Sequence, residues 1–314
     1  MYYIRDGLGE AWRPAAVLFA CSAILVSLGM GNMVQVNTMA AAAEQVFPGL
    51  KSYAGWLTGG AVVLLMLPVA FGSAAFVRRL VEKLVPLMAG IYMFATLAVI
   101  VTHSNQVAAV LKSIVVGAFR PESILGAGAG IGIRQSVRWG ISRGVFSNEA
   151  GLGSAPIAHA SAKASAEEQG LFGIFEVFLD TIVLCTLTAL AILVSGVPIR
   201  YGAEAGVELV AAALKTVFGG RAVGVLAFCL AMLAMATLIG WQVYGLRCAE
   251  YLWGSRGMAV YRLCWLAAIL PGAVLDLSEV WTFSDICNGL MCLPNLIALL
   301  LLRQQVGKLP CKTG

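Results

Sequence analysis

GVFSNEAGLGSAPIAHASAK, Gly144 to Lys163, places a glutamate, an asparagine, three serines, a proline and three glycines in twenty residues. The rest of the chain is mostly apolar. Across all 314 residues 60% are hydrophobic and 12% charged, with a mean hydropathy of +0.88. A soluble domain is about half apolar and about a quarter charged. No Asp, Glu, Lys or Arg occurs between Arg13 and Glu44, Lys51 and Arg78, Lys83 and Lys112, or Arg221 and Arg247. Each of these runs exceeds the roughly 20 residues that a membrane-spanning helix needs. An all-α polytopic membrane protein follows, and the quoted stretch is the polar interruption in it.

The interruption belongs to a longer segment, Ser123–Ala162. As one straight helix it would reach about 60 Å, twice the hydrocarbon thickness. Gly126, Gly128, Gly130, Gly132, Gly140, Gly144, Gly151 and Gly153 stud it. A helix broken near the membrane middle, around Trp139–Ser147, is the economical reading. Backbone groups freed at such a break must face protein or water, never lipid. Transporters use them to bind carboxylates and cations. The glycines also suit close helix packing, as in Gly140-x-x-x-Gly144. Packing alone would not require Ser147, Asn148 and Glu149 in a row, or Arg134, Arg138 and Arg143 at depth. Intramembrane charge is costly and usually paired; Glu149, Glu176, Asp180 and Asp285 are the available acids. GAGAGIG, Gly126–Gly132, lacks the spacing and the preceding strand of a dinucleotide site.

Outward from this segment, about eight spans are expected: Pro14–Ala42, Tyr53–Val77, Leu84–Val101, Ser123–Ala162, Leu171–Val197, Ala222–Leu246, Gly257–Leu275 and Thr282–Leu302. Asn105–Phe119 and Ala203–Phe218 read as amphipathic helices. No linker divides the chain, so residues 1–314 form a single transmembrane domain. With a cytoplasmic N-terminus, twelve Lys and Arg fall on the inner side and six on the outer, which predicts both termini inside. The net charge of +5 reflects this topology, and no basic cluster with interleaved aromatics points to nucleic acid. Six of the eight cysteines, among them Cys229 and Cys287, sit inside apolar runs as small hydrophobes.

GVFSNEAGLGSAPIAHASAK closely resembles the signature of the alanine or glycine:cation symporter family, the sodium:alanine symporters. MYYIRDGLG at the start, LGMGNMVQVNTMA (Leu28–Ala40), FEVFLDTIVLCTLTAL (Phe175–Leu190), LIGWQVYGLRCAEYLWG (Leu238–Gly254) and DICNGLMCLPNLIALLLL (Asp285–Leu302) resemble other family segments. The resemblance implies a leucine-transporter-type fold of two inverted repeats, with amino acid and sodium held between two broken helices. It also implies further spans before MYYI, including a first broken helix with a Gly-Thr-Gly-Asn motif. That motif has no counterpart in the 314 residues. The expectation is an N-terminally truncated family fold covering the C-terminal two-thirds.

The resemblance implies sodium-coupled symport of small neutral amino acids, alanine or glycine, at the plasma (inner) membrane. Sodium is the coupling ion, no organic cofactor is involved, and lipid is the solvent. It implies a substrate-holding role for Gln35, whose amide otherwise serves a helix–helix hydrogen bond. Placing the break at half-span makes Gly140, Ile141, Ser142 and Gly144 backbone ligands of the substrate. Ser147, Asn148 and Glu149 then shape the break. Thr237 resembles the family's contribution to the sodium site. Trp241 either walls a small pocket or packs as an interfacial tryptophan. Two other functions are open. One is a truncated product that inserts without transporting, unless another segment or a second copy completes it. The other is an intramembrane enzyme built on Ser154 and His159. Five residues separate that pair, about 7–8 Å of helix rise, against the hydrogen-bond reach that a general base needs.

Overall fold

The computed structural model describes residues 1–72, 74–118, 137–138, 140–142, 144–145, 147–160, 162–199, 207–276 and 278–306. The run Gly126–Gly132, Arg134, Trp139 and Arg143 lie outside them. All regular structure among the described residues is helical. In chain order we label α1 (Tyr2–Leu8), α2 (Arg13–Leu28), α3 (Val34–Val46), α4 (Lys51–Phe71), α5 (Ala74–Thr102), α6 (Ser104–Ala118), α7 (Ala155–His159), α8 (Ala166–Val177), α9 (Cys185–Val194), α10 (Val207–Phe218), α11 (Arg221–Val274) and α12 (Ser278–Val306). Among the described residues, six helical stretches are long and apolar enough to cross a membrane: Glu10–Val46, Pro48–Phe71, Arg79–Thr102, Ala166–Val194, Arg221–Val274 and Val280–Arg303.

Local chemistry sets the ends of these stretches. Pro14 opens α2, where its missing N–H costs nothing. The helix expected from Leu171 begins five residues earlier, at Ala166. Ser165 and Glu168 form a reciprocal cap: the Ser165 Oγ accepts from the Glu168 N–H at 3.2 Å, and Glu168 Oε2 accepts from the Ser165 N–H at 2.8 Å. α4 stops at Phe71 rather than Val77. Gly72 is extended there and lies against the carbonyl of Pro68, a proline inside the helix.

Two of the stretches carry a π-helical turn. Gly29–Met33 joins α2 to α3, and Phe178–Leu184 joins α8 to α9. The first is almost wholly buried and serves as a hub. A Cβ on Gly31 would overlap the Trp241 side chain of α11, and one on Gly29 would lie 2.6 Å from the Ser284 hydroxyl of α12. Neither turn was foreseen from the sequence. A π turn inserts one residue without changing hydropathy, so the periodicity does not announce it.

α11 runs for 54 residues, about 80 Å if straight. It is not straight. Gly254 has φ 64° and ψ −150°, outside any helix, and divides it into a hairpin. Gly257 makes the reversal possible, since a Cβ there would sit 2.6 Å from the Ala249 carbonyl oxygen. The second limb returns against the first and against α2. The Tyr261 hydroxyl lies 2.9 Å from Ser27 Oγ and donates to the Trp241 carbonyl at 3.4 Å. This hairpin accounts for the two separate spans expected at Ala222–Leu246 and Gly257–Leu275.

Three apolar clusters hold the described helices together. Phe19, Met30, Trp241 and Met291 share one with Leu152, from the interrupted segment. Val62, Met66, Trp265 and Ile269 form the second, and Val99, Val194, Leu214 and Leu226 the third. The expected amphipathic segments are helices α6 and α10, and α10 buries Ala211, Ala213 and Leu214.

Candidate functional site

The described residues from Val137 to Asn148 are helical. The helix ends at Glu149, and the chain turns through Ser154 before α7 starts with Pro156 in its first turn. A break among the described residues therefore lies at Glu149–Ser154, C-terminal to the expected Trp139–Ser147, of which Trp139, Arg143 and Phe146 lie outside the described residues. Backbone conformation decides where a helix stops. Glu149, Gly151 and Gly153 have φ of 53°, 85° and 90°. Left-handed geometry at three of five positions cannot continue a right-handed helix. The sequence signal was present as Gly-Leu-Gly, two glycines spaced by the one apolar residue, Leu152, that plugs the core.

Each part of the turn is tied down. Asn148 Oδ1 accepts from the Ala150 N–H at 2.8 Å, an Asx turn. Asn295 of α12 donates to the Gly151 carbonyl at 2.7 Å, and Tyr3 of α1 donates to Asn295 Oδ1. Gly153 packs so closely that a Cβ would lie 2.7 Å from Phe19 Cε2.

The polar side chains of the segment reach three different helices. Ser142 Oγ donates to Asp285 Oδ2 of α12 at 2.8 Å. Ser147 Oγ donates to Asp180 Oδ2 at 2.6 Å, and Asn148 Nδ2 to Thr181 Oγ1 at 3.1 Å, both in the second π turn. The Trp241 indole N–H of α11 donates to Glu149 Oε1 at 2.7 Å. Glu149, Asp180 and Asp285 thus each accept from a neutral donor among the described residues. A carboxylate at low dielectric needs such donors, because an unpaired buried charge is prohibitively costly.

The remaining predicted residues fall around this turn. Trp241 is 1% exposed, with its body on Gly31 and its ring edge against Tyr244, centroids 5.5 Å apart. Its packing and its bond to Glu149 make it the brace between the first π turn and the break. Gln35 donates from Nε2 to the Met30 carbonyl at 3.2 Å, within its own helix. Thr237, one turn before Trp241, donates to the Leu233 carbonyl at 3.0 Å, which leaves lone pairs on its oxygen. Gly140, Ile141, Ser142 and Gly144 sit in helical backbone. A Cβ on Gly140 or Gly144 meets no described atom within 4 Å, and Ile141 is 64% exposed. Gly140, Ile141 and Gly144 are therefore open helical positions, whereas Ser142 is turned to Asp285 of α12. Sequence reasoning missed Gly31, Thr181 and Asn295, each of which acts on a residue far along the chain. Among the described residues no group of three or more His, Cys, Asp or Glu converges. Oxygen ligands for a cation would here be carbonyls, hydroxyls and amides.

The family model described as the sodium:alanine symporter family matches residues 1–311. The chain belongs to that family. A sodium:alanine symporter family member is a transporter, which removes the Ser154–His159 enzyme from consideration. A transporter of Haemophilus influenzae with no assigned function is 37% identical over 98% of this chain and 66% of its own length. The sodium/alanine symporter AgcS of Methanococcus maripaludis is 36% identical over 96% of this chain and 66% of its own length. The amino-acid carrier protein AlsT of Bacillus subtilis is 35% identical over 96% of this chain and 62% of its own length. The chain thus spans just under two thirds of the length of these family members.

Proposed function

We propose that this chain serves sodium-coupled symport of small neutral amino acids, alanine or glycine, across the plasma (inner) membrane. The observation that carries the reading is the turn Glu149–Ser154, set between apolar helices and braced by Trp241 and Asn295. A backbone break buried in protein is the place where a membrane transporter can offer unpaired peptide groups to a zwitterion. Family membership supports sodium as the coupling ion. In this reading Gln35, Trp241 and the backbone at Gly140, Ile141, Ser142 and Gly144 border the amino acid. Ser147, Asn148 and Glu149 hold the break, and Thr237 supplies an oxygen to sodium. The helices belong to one transporter domain of the leucine-transporter type, with inverted repeats. The partners are the amino acid, sodium and the bilayer, with no nucleic acid.

The reading is tested by reconstituting the purified chain in vesicles and following labelled alanine under an inward sodium gradient. Uptake should require sodium, collapse when choline replaces it, and be competed by unlabelled glycine. Uptake driven equally well by a proton gradient without sodium would sink the coupling assignment. Orientation is a separate expectation. The excess of Lys and Arg on one side places both termini in the cytoplasm. A reporter fused after Gly314 should be active only in its cytoplasmic form, and activity confined to the periplasmic form would reverse the topology.

A further inference from the structure

We propose a cation position between the first π turn and α12, formed by Ser284 and Asn288 and separate from Thr237. Ser284 is 1% exposed and Asn288 is 4% exposed. Four residues separate them, so both lie on one face of α12, one above the other. That face meets the π turn: Ser284 Oγ stands against Gly29, and Asn288 Nδ2 lies 3.2 Å from Met30 Sδ. Ser284 Oγ and Asn288 Oδ1 have no hydrogen-bond partner.

Two unpartnered buried oxygens one turn apart are not a stable arrangement. Leaving each unsatisfied costs about 1–3 kcal/mol. Asn288 Oδ1 can only accept, and a hydroxyl oxygen has lone pairs to offer. What satisfies both must bring positive charge or protons. Asn288 spends its own N–H on a thioether, a weak acceptor, and leaves its carbonyl oxygen free. That choice leaves the better ligating atom, the carbonyl oxygen, available to a cation. Gly29 contributes by lacking a side chain, since a Cβ there would occupy the ground beside the Ser284 hydroxyl. The ligand set is neutral, whereas calcium and magnesium sites draw on carboxylates. A monovalent cation fits, and we assign it as sodium, resting on the symport reading for the identity of the ion alone. Bound there, it would sit between the first π turn and α12, whose neighbouring Asp285 holds Ser142 of the interrupted segment.

The test is thermal unfolding of the purified full chain in detergent, titrated with sodium chloride against choline chloride at constant ionic strength. Sodium should raise the unfolding temperature saturably. The double substitution Ser284→Ala, Asn288→Leu keeps side-chain size close and removes both oxygens. It should need about tenfold more sodium for the same shift, about 1.4 kcal/mol of binding. Asn288→Asp retains the shape, adds a negative charge, and should lower the sodium requirement by at least about threefold. It serves also if the double variant does not fold. A wild-type sodium response preserved in the double variant, or unaltered by Asn288→Asp, would mean that water fills the position and would overturn the proposal. So would the absence of any sodium shift in the wild type. Uptake separates this from the transport reading: a sodium shift sensitive to both variants in a chain without sodium-dependent alanine uptake would sink the symport and leave the cation position standing.

Discussion

Gly153→Val is expected to destabilise the protein by about 2–5 kcal/mol, the largest effect of any single substitution considered. Two costs add. Gly153 has φ 90°, where an L-residue meets its own carbonyl at a cost of about 1–2 kcal/mol, and a β-branched one fits worst. Its Cβ would also lie 2.7 Å from Phe19 Cε2 and 3.0 Å from the Asn295 side chain. Overpacking of that kind adds about 1–3 kcal/mol. Phe19 is fully buried and Asn295 is held by Tyr3 and Gly151, so neither moves away freely. The measurement is the unfolding midpoint in detergent beside Gly140→Val. That control carries the same change to a helical position where a Cβ meets no described atom within 4 Å. A loss for Gly153→Val no larger than the control's would show that the turn is soft.

Glu149→Ala is expected to cost about 1–3 kcal/mol of stability, by leaving the Trp241 indole N–H buried without an acceptor. Glutamate and alanine are equally strained at φ 53°, so the backbone term cancels and the side chain alone is read. In the symport reading the same change removes the brace that holds the break against α11. Sodium-dependent alanine uptake should then fall by about tenfold or more, the equivalent of about 1.4 kcal/mol in the positioning of the turn. Glu149→Gln keeps a carbonyl oxygen for Trp241 and should recover most of the stability. If Glu149→Ala and Glu149→Gln behave alike in both measurements, the bond to Trp241 is not what fixes the turn.

Ser147 and Asn148 show how far the local sequence could be read. Their crowding beside Glu149 in an apolar chain marks the segment as special. Their partners Asp180 and Thr181 lie 33 residues away. Nothing local selects Thr181 over any other threonine; the π turn at Phe178–Leu184 does so by presenting it. Gln35 illustrates the opposite case, a mid-span amide whose bond to Met30 stays within its own helix because the first π turn brings that carbonyl into reach.

The sequence by itself determined that this is an all-helical membrane protein with an interrupted segment, Ser123–Ala162. Charge-free runs such as Arg13 to Glu44 leave the chain no other solvent than lipid, and in lipid each backbone group must bond within its helix. The capping box at Ser165 and the turn at Gly151 and Gly153 also depend on neighbours in the chain, although hydropathy alone placed that helix's start at Leu171. Only the tertiary structure decided that the break falls at Glu149–Ser154, that α11 doubles back at Gly254, and that Trp241 meets Glu149 across 92 residues of sequence. The physical reason is range. Hydropathy and capping act over a few residues, whereas the closeness of Gly31 to Trp241 or Gly153 to Phe19 depends on how whole helices pack.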